Sequence, residues 1–467
     1  MQLWIQWCMI LYELRPACSR LRTFLWLSTC LVGITIRGDL LGITSIVRAL
    51  GLQEYCYDRL LDFFHSRALN LEKLTRIWVG LMLTVHPLIL RSHDRLLLVG
   101  DGLKVSKAGR KMPAVKQLHQ QSNSNTKPEY IMGHSYQSIG ILAGALSSVF
   151  AIPLVSRIQE GIVCSNRDKR TLLDKMILLI NSLGIKEKFY FIADAYYAAR
   201  NMIHGLLAQG NHLITRVKSN AVAYYPAEGQ TPQKGPGRPK KYGKKVRLRS
   251  LIHTPEPMHT AKSPIYGEKE VHIKYRCLDL LWRSVGILVR FVIVIHPARG
   301  VVILMCTDLT LSPLEIIRLY GLRFKIEISF KQAIRTLGVY AYHFWMRNMI
   351  PIRHYSGDQY LHRKSECYRK AVNRKIDAYH RHIQIGIIAQ GLLQYLSSVF
   401  PKLVWSSFGS WIRTIRPGMF PSEQVTSIAM RNSFPEFLAN SSPIPILKKF
   451  ICDRIDLTRS EGLRMIA

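Results

Sequence analysis

The sequence predicts an α/β core carrying a β-rich stretch and flanked by helical regions. Three observations support that reading. From Arg95 onward, short apolar runs, two of which end at aspartates, alternate with helix-spaced segments. Roughly the first ninety residues show helix spacing with no strand alternation. After about residue 350 a basic helical pattern returns. With 467 residues, 48% of them hydrophobic, the chain can bury a large core, and its length suggests roughly two to four structural units.

In the N-terminal region Ile43, Ile46, Val47 and Leu50, then Leu60, Leu61 and Phe64, fall at helical spacing. Thr44 or Ser45 can cap a helix running to Leu50, and Gly51 can end it in the left-handed conformation. Residues 44–65 thus outline a helix pair, either a DNA-reading one or part of a structural bundle. The apolar runs 23–36 and 77–90 lie between arginines and fall short of the roughly 20 residues of a membrane span, so both read as buried helices.

The α/β layer begins with a buried-type strand at 96–100. One or two strands follow in 138–154, then an amphipathic helix at 170–183 and a buried strand at 189–193. A helix at 202–207 and a strand at 212–217 complete this half. Between 234 and 249 lie Lys234, Arg238, Lys240, Lys241, Lys244, Lys245, Arg247 and Arg249 with no acid, interrupted by Pro236 and Pro239. Such a loop cannot form a core. Strands are expected at 271–281, 287–295 and 301–306, after which Ser312 and Pro313 open a helix. A basic helix at 363–382 and an apolar helix at 383–396 lead into a Pro- and Ser-containing tail. The expected division is a helical unit at 1–93, a core made of 94–220 and 310–350, a β-rich insertion at 221–309, and a basic, mainly helical region at 351–467.

Charge points to the partner. The chain has 65 Lys and Arg against 30 Asp and Glu, a formal charge of +35. Such a surface favours nucleic acid first, an acidic membrane face second and an acidic protein third, because neutralised phosphates release condensed counterions. The nine cysteines show no C-x-x-C pairing or framework spacing and read as reduced core residues. Residues 1–10 have no basic start, and no small-residue cleavage site follows, so no secretory signal is expected.

Three acids are the candidates for chemistry. Asp101 and Asp194 each follow a buried-type strand, where open α/β sheets bind ligands and where an aspartate can equally cap a turn. If their strands are neighbours, the two carboxylates repel unless a cation neutralises them. Tyr320, Arg323, Glu327 and Lys331 fall on one helical face. That face is either functional or a solvated stripe in which Arg323 pairs with Glu327.

The order Asp101, Asp194, Glu327 on strand, strand and helix, with a β-rich stretch before the Glu, resembles insertion-sequence transposases of the DDE class. One subgroup carries a Tyr-x2-Arg-x3-Glu-x6-Lys signature, and Tyr320, Arg323 and Glu327 match its first three members. The 307–313 run, Asp101-Gly102 and 133–136 also look like that family. The resemblance implies a ribonuclease-H-like catalytic core. It further implies that two Mg2+ or Mn2+ ions are held by Asp101, Asp194 and Glu327, cleavage at transposon ends, and joining of the 3′-hydroxyls to target DNA. Hard carboxylate oxygens suit those ions. The implied setting is a DNA-associated, cytoplasmic protein that is dimeric when it pairs two ends, with no membrane partner.

Tyr320 and Arg323 would then contact DNA phosphate. The family lysine falls at 334, where this chain has Ile334; Lys331 and Arg335 lie within about a quarter turn of the Glu327 face and can take that contact. The 235–241 segment, with Arg238, Lys240 and Lys241, resembles a hook that lays an arginine in a narrow minor groove, or is a solvated loop. His134 is either near the site or a satisfied structural residue. The competing reading of the whole chain is a decayed or repurposed relative that binds DNA without cutting it.

Overall fold

Successive side chains of a strand point to opposite faces, so the apolar run at 96–99 requires a cover on both. The computed structural model, which describes residues 2–120, 128–145, 148–227, 240–409, 419–439 and 444–459, supplies both covers. Five strands form the centre: β1 (Arg95–Ser106), β2 (Tyr130–Ala145), β3 (Ser148–Ile158), β4 (Phe189–Ala193) and β5 (His212–Arg216). They lie in the order β3-β2-β1-β4-β5; β1 pairs antiparallel with β2 and β2 with β3, whereas β1, β4 and β5 run parallel. Leu96, Leu98 and Phe191 enter one apolar cluster, and Leu97, Val99, Tyr190 and Ile192 enter the other.

Beyond β5 the same sheet continues antiparallel through Gly300–Cys306, Ile287–His296 and His272–Trp282, then Val222–Pro226 and Tyr242–Arg247. The β-rich stretch is thus an extension of the central sheet. Ser312 caps the Pro313–Gly321 helix by accepting from Glu315 N, with Pro313 in its first turn, as expected. Thr171 and Asp174 form a capping box on Leu172–Ser182.

The N-terminal helices Gln2–Glu13, Leu21–Ile36, Ile43–Ala49, Cys56–His65 and Leu71–Val85 share one core with the helices that follow residue 365. Trp4 stacks on Phe437 with centroids 5.1 Å apart, and its indole N–H donates to Met430 O. Burying such a ring stabilises by about 2–3 kcal/mol. Where two helices were expected at 363–382 and 383–396, one helix runs from Glu366 to Val399 and lies against β3. Neither glycine nor proline stands where its basic and apolar halves meet, and Gly386 and Gly391, within the apolar half, pack closely against Val339 and Trp78.

Other local expectations are corrected. The helix placed at 77–90 runs from Leu71 to Val85, capped by Asn70, which accepts from Lys73 N. Neither Thr44 nor Ser45 caps its helix: Gly42 is the N-cap, and Ser45 Oγ donates to Gly42 O. Gly51 does adopt a left-handed φ of 58°. Five cysteines are buried, but Cys164 and Cys367 are exposed. Among the described residues no single helix is long and apolar enough to cross a membrane; Glu366–Val399 with Pro401–Phe408 meets that test only as a pair bent by 102°.

Candidate active site

Sheet parity builds the site. The β1/β4 register pairs Val99 with Ile192, and two residues further along it sets Asp101 beside Asp194. Both aspartates share the parity of Val99 and Ile192, so both face the side covered by Ile316, Ile317, Leu319, Leu322 and Ile326 of the following helices. Gly100, on the opposite parity, leaves room for the Phe191 ring. Asp101 is not at the end of its strand. β1 continues to Ser106 because β2 pairs with it through Ser106, whereas the parallel neighbour β4 stops at Ala193. The carboxylate therefore emerges where one side of the strand has lost its cover.

Asp194 caps a short 3-10 turn, Ala195–Tyr197, accepting from Tyr196 N at 3.0 Å, and the next α-helix begins only at Arg200. Thr215 Oγ1, on β5, donates to Asp194 O at 2.6 Å and fixes the backbone there. Asp101 Oδ1 accepts from Gly102 N at 2.7 Å.

The third acid arrives differently from the sequence expectation. Tyr320, Arg323 and Glu327 do not lie on one continuous helix. The first helix ends at Gly321, Leu322–Phe324 form a tight turn, and a second helix begins at Lys325. Through this stretch the bonds are of the i to i−3 kind, as in Arg323 N to Tyr320 O and Glu327 N to Phe324 O. A glycine inside an apolar helix weakens it, and Gly321 sits where the break occurs. Ile265 packs against Gly321, and Lys325 Nζ lies 3.7 Å from the Tyr266 ring centroid, so the 263–270 loop clamps the start of the second helix.

Arg323, within the turn, joins the acids. Its Nη1 is 3.1 Å from Asp101 Oδ2 and its Nη2 is 2.6 Å from Glu327 Oε1. The i to i+4 pairing is present, and the same guanidinium reaches across to the sheet. The Arg323 and Asp101 side chains are largely covered, whereas that of Glu327 is 54% exposed. Burial and the Asp194 charge push the Asp101 carboxyl up to about 6, against the pull of Arg323. Asp194 is also raised, chiefly by burial. Burial thus disfavours the charged form of both aspartates, a penalty that a cation beside them would offset.

Three carboxylates, two of them desolvated, suit a hard divalent cation. Among the described residues, however, no three His, Cys, Asp or Glu side chains stand together closely enough to hold an ion. The chemistry of the donors fits, and Arg323 occupies the gap between two of them.

Beside the acids, Tyr320, Arg323, Phe324, Arg216, His296 and Arg299 line a cavity of about 260 Å³. Arg216 and Arg299 did not stand out in the sequence, because they come from β5 and from the turn after the Ile287–His296 strand, which only the sheet brings together. Glu268 partners Arg299 at 2.7 Å and also receives the His296 ring N–H.

The remaining candidates divide clearly. Lys331, Ile334 and Arg335 are exposed on the Glu327 helix. Lys240 and Lys241 are exposed far along the sheet, where Lys241 Nζ donates to Gly286 O; Arg238 lies outside the described residues. His134 is a core residue. Its Nε2 meets Pro113 O at 2.9 Å and its Nδ1 meets Tyr342 OH at 2.7 Å, and burial holds its pKa down to about 3. The Cys56–His65 helix and the residues before it present Glu54, Asp58 and Asp62 with Arg59 to solvent, a poor face for a phosphate backbone.

A family model described as a DDE superfamily endonuclease matches residues 23–274, a stretch that includes Asp101 and Asp194 and ends before Glu327. No curated protein matches the chain.

Proposed function

The chain belongs to the DDE superfamily endonucleases, whose model matches more than half of it, and from that premise we propose a DNA transposase with Asp101, Asp194 and Glu327 as its catalytic acids. It cleaves at transposon ends and joins the 3′-hydroxyls to target DNA. The observation that carries this reading is the placement of Asp101 beside Asp194 on one open face of the sheet, with Glu327 tied to Asp101 through Arg323. We read the mixed five-stranded unit β1–β5 as a ribonuclease-H-like core.

Two Mg2+ or Mn2+ ions, held by the three acids, would supply Lewis-acid chemistry and a deprotonated nucleophile. Asp101 and Asp194 contribute fixed carboxylates from a rigid sheet, and Glu327, on the more exposed helix, closes on them. Tyr320 and Arg323 orient the phosphate next to the scissile bond; a planar guanidinium does so by paired hydrogen bonds. Lys331 and Arg335 extend that contact along the backbone, and Arg238, Lys240 and Lys241 grip a groove further away. Two copies acting on paired ends form the working dimer.

A decayed, DNA-binding relative is the second reading, favoured by Ile334 at the family's lysine position. Incubating the protein and Mg2+ with uncut duplexes that carry the sequences flanking its own gene, plus a plasmid target, separates the readings. Joined products are expected. DNA binding with neither cleavage nor joining would support decay, and cleavage without joining would leave an endonuclease only.

A further inference from the structure

The guanidinium of Arg323 stands where a cation is needed. It contacts Asp101 Oδ2 at 3.1 Å and Glu327 Oε1 at 2.6 Å, from a turn that lies between the sheet and the helix. Asp194 and Glu327 act to disfavour ionised Asp101, and Glu327 does the same to Asp194. The Arg323 charge opposes this at both aspartates. With the bridge in place, Asp101 and Glu327 are held one guanidinium apart, and among the described residues no three His, Cys, Asp or Glu side chains stand close enough to share an ion.

We infer that Arg323 is an internal stand-in for the divalent metal. It holds the acids in register while they are empty, competes with the metal for Asp101 and Glu327, and must swing away for the site to close. This inference rests on the assignment of the three acids as metal ligands and adds a second role to the arginine. Released from the acids, the guanidinium faces the cavity it already lines with Tyr320, Arg216 and Arg299, where a phosphate group can receive it. Metal binding and phosphate binding then assist one another, because each removes or employs the same side chain. Its position supports that movement. Arg323 sits in a three-residue turn between two helices, where small changes in φ and ψ redirect a long side chain without disturbing either helix.

The test is Mn2+ binding to the full chain without DNA, read from the free-ion signal in electron paramagnetic resonance. Arg323→Gln removes the competitor, so it binds Mn2+ about tenfold more tightly than wild type if the bridged state is favoured about ten to one. Arg323→Lys keeps a charge but cannot span both acids, and falls between the two. Equal or weaker binding by Arg323→Gln, in a protein that melts like wild type, overturns the stand-in. If Arg323→Gln fails to fold, Arg323→Lys decides alone, and no gain in affinity over wild type overturns the inference. Asp101→Asn serves as the separate control. If it binds Mn2+ as well as wild type does, the acids are not the metal ligands, and the failure belongs to the proposed function.

Discussion

Asp101 has the most informative environment of any single residue in the chain. Its folded pKa of about 6 stands above the ordinary 3.8, so the fold favours the protonated carboxyl. That stabilisation is fully present below pH 3.8 and is lost as pH rises through about 6. Replacement by asparagine removes the penalty of ionisation, which amounts to at most about 3 kcal/mol and is partly offset by the loss of the Arg323 pair. Asp101→Asn is therefore expected to gain stability relative to wild type between pH 4.5 and pH 7.5 in urea unfolding. A difference that does not change with pH contradicts the raised carboxyl. At Ile334, 37% exposed, a lysine fits without burying charge. Ile334→Lys is expected to steepen the dependence of log affinity for DNA on log salt by about 0.9, one added phosphate contact. An unchanged slope would show that Lys331 and Arg335 already make that contact, or that DNA does not run along this face. The candidate acids were legible in the sequence as residue types in a given order. Their shifted ionisation was not, because it depends on which residues the fold places opposite them.

At the scale of elements, strands were legible and breaks were not. The run at 96–100 and the strand Phe189–Ala193 announce buried strands by composition, and counting by twos from their apolar residues puts both aspartates on one face once the register is known. The break at Leu322–Phe324 escaped, because offsets of three and four residues suit a continuous helix and a locally tightened one equally. The basic and apolar halves of Glu366–Val399 were separated for the opposite reason: a change of composition marks a change of surroundings, here from solvent to core, within one helix. Gly100 shows how closely β1 and β4 are fitted. A Cβ there would come within 2.1 Å of Phe191 Cζ, inside a fully buried cluster. Gly100→Ala is expected to cost about 1–3 kcal/mol in urea unfolding, the usual range for overpacking, and to displace Asp101 with it. An unchanged midpoint would mean that the Phe191 ring turns aside freely.

For the whole molecule, the sequence revealed sign and size but not assembly. Nothing in residues 2–13 announces that Trp4 will stack on Phe437, since a contact across more than four hundred residues has no local signature. The helical ends of the chain close over one face of the sheet, while the other face carries the acids and the clamped helix. On the proposed reading the charge of +35 draws DNA in, and the face beyond the end of β4, where Asp101 and Asp194 emerge, is where it is cut. That central claim is tested most directly by nicking of DNA carrying the sequences that flank this gene, with and without Mg2+. Wild type is compared with Asp101→Asn, Asp194→Asn and Glu327→Gln. The expected result is metal-dependent nicking by wild type and a loss of at least about a hundredfold in each variant. Equal nicking by wild type and the three variants would contradict the assignment of these acids.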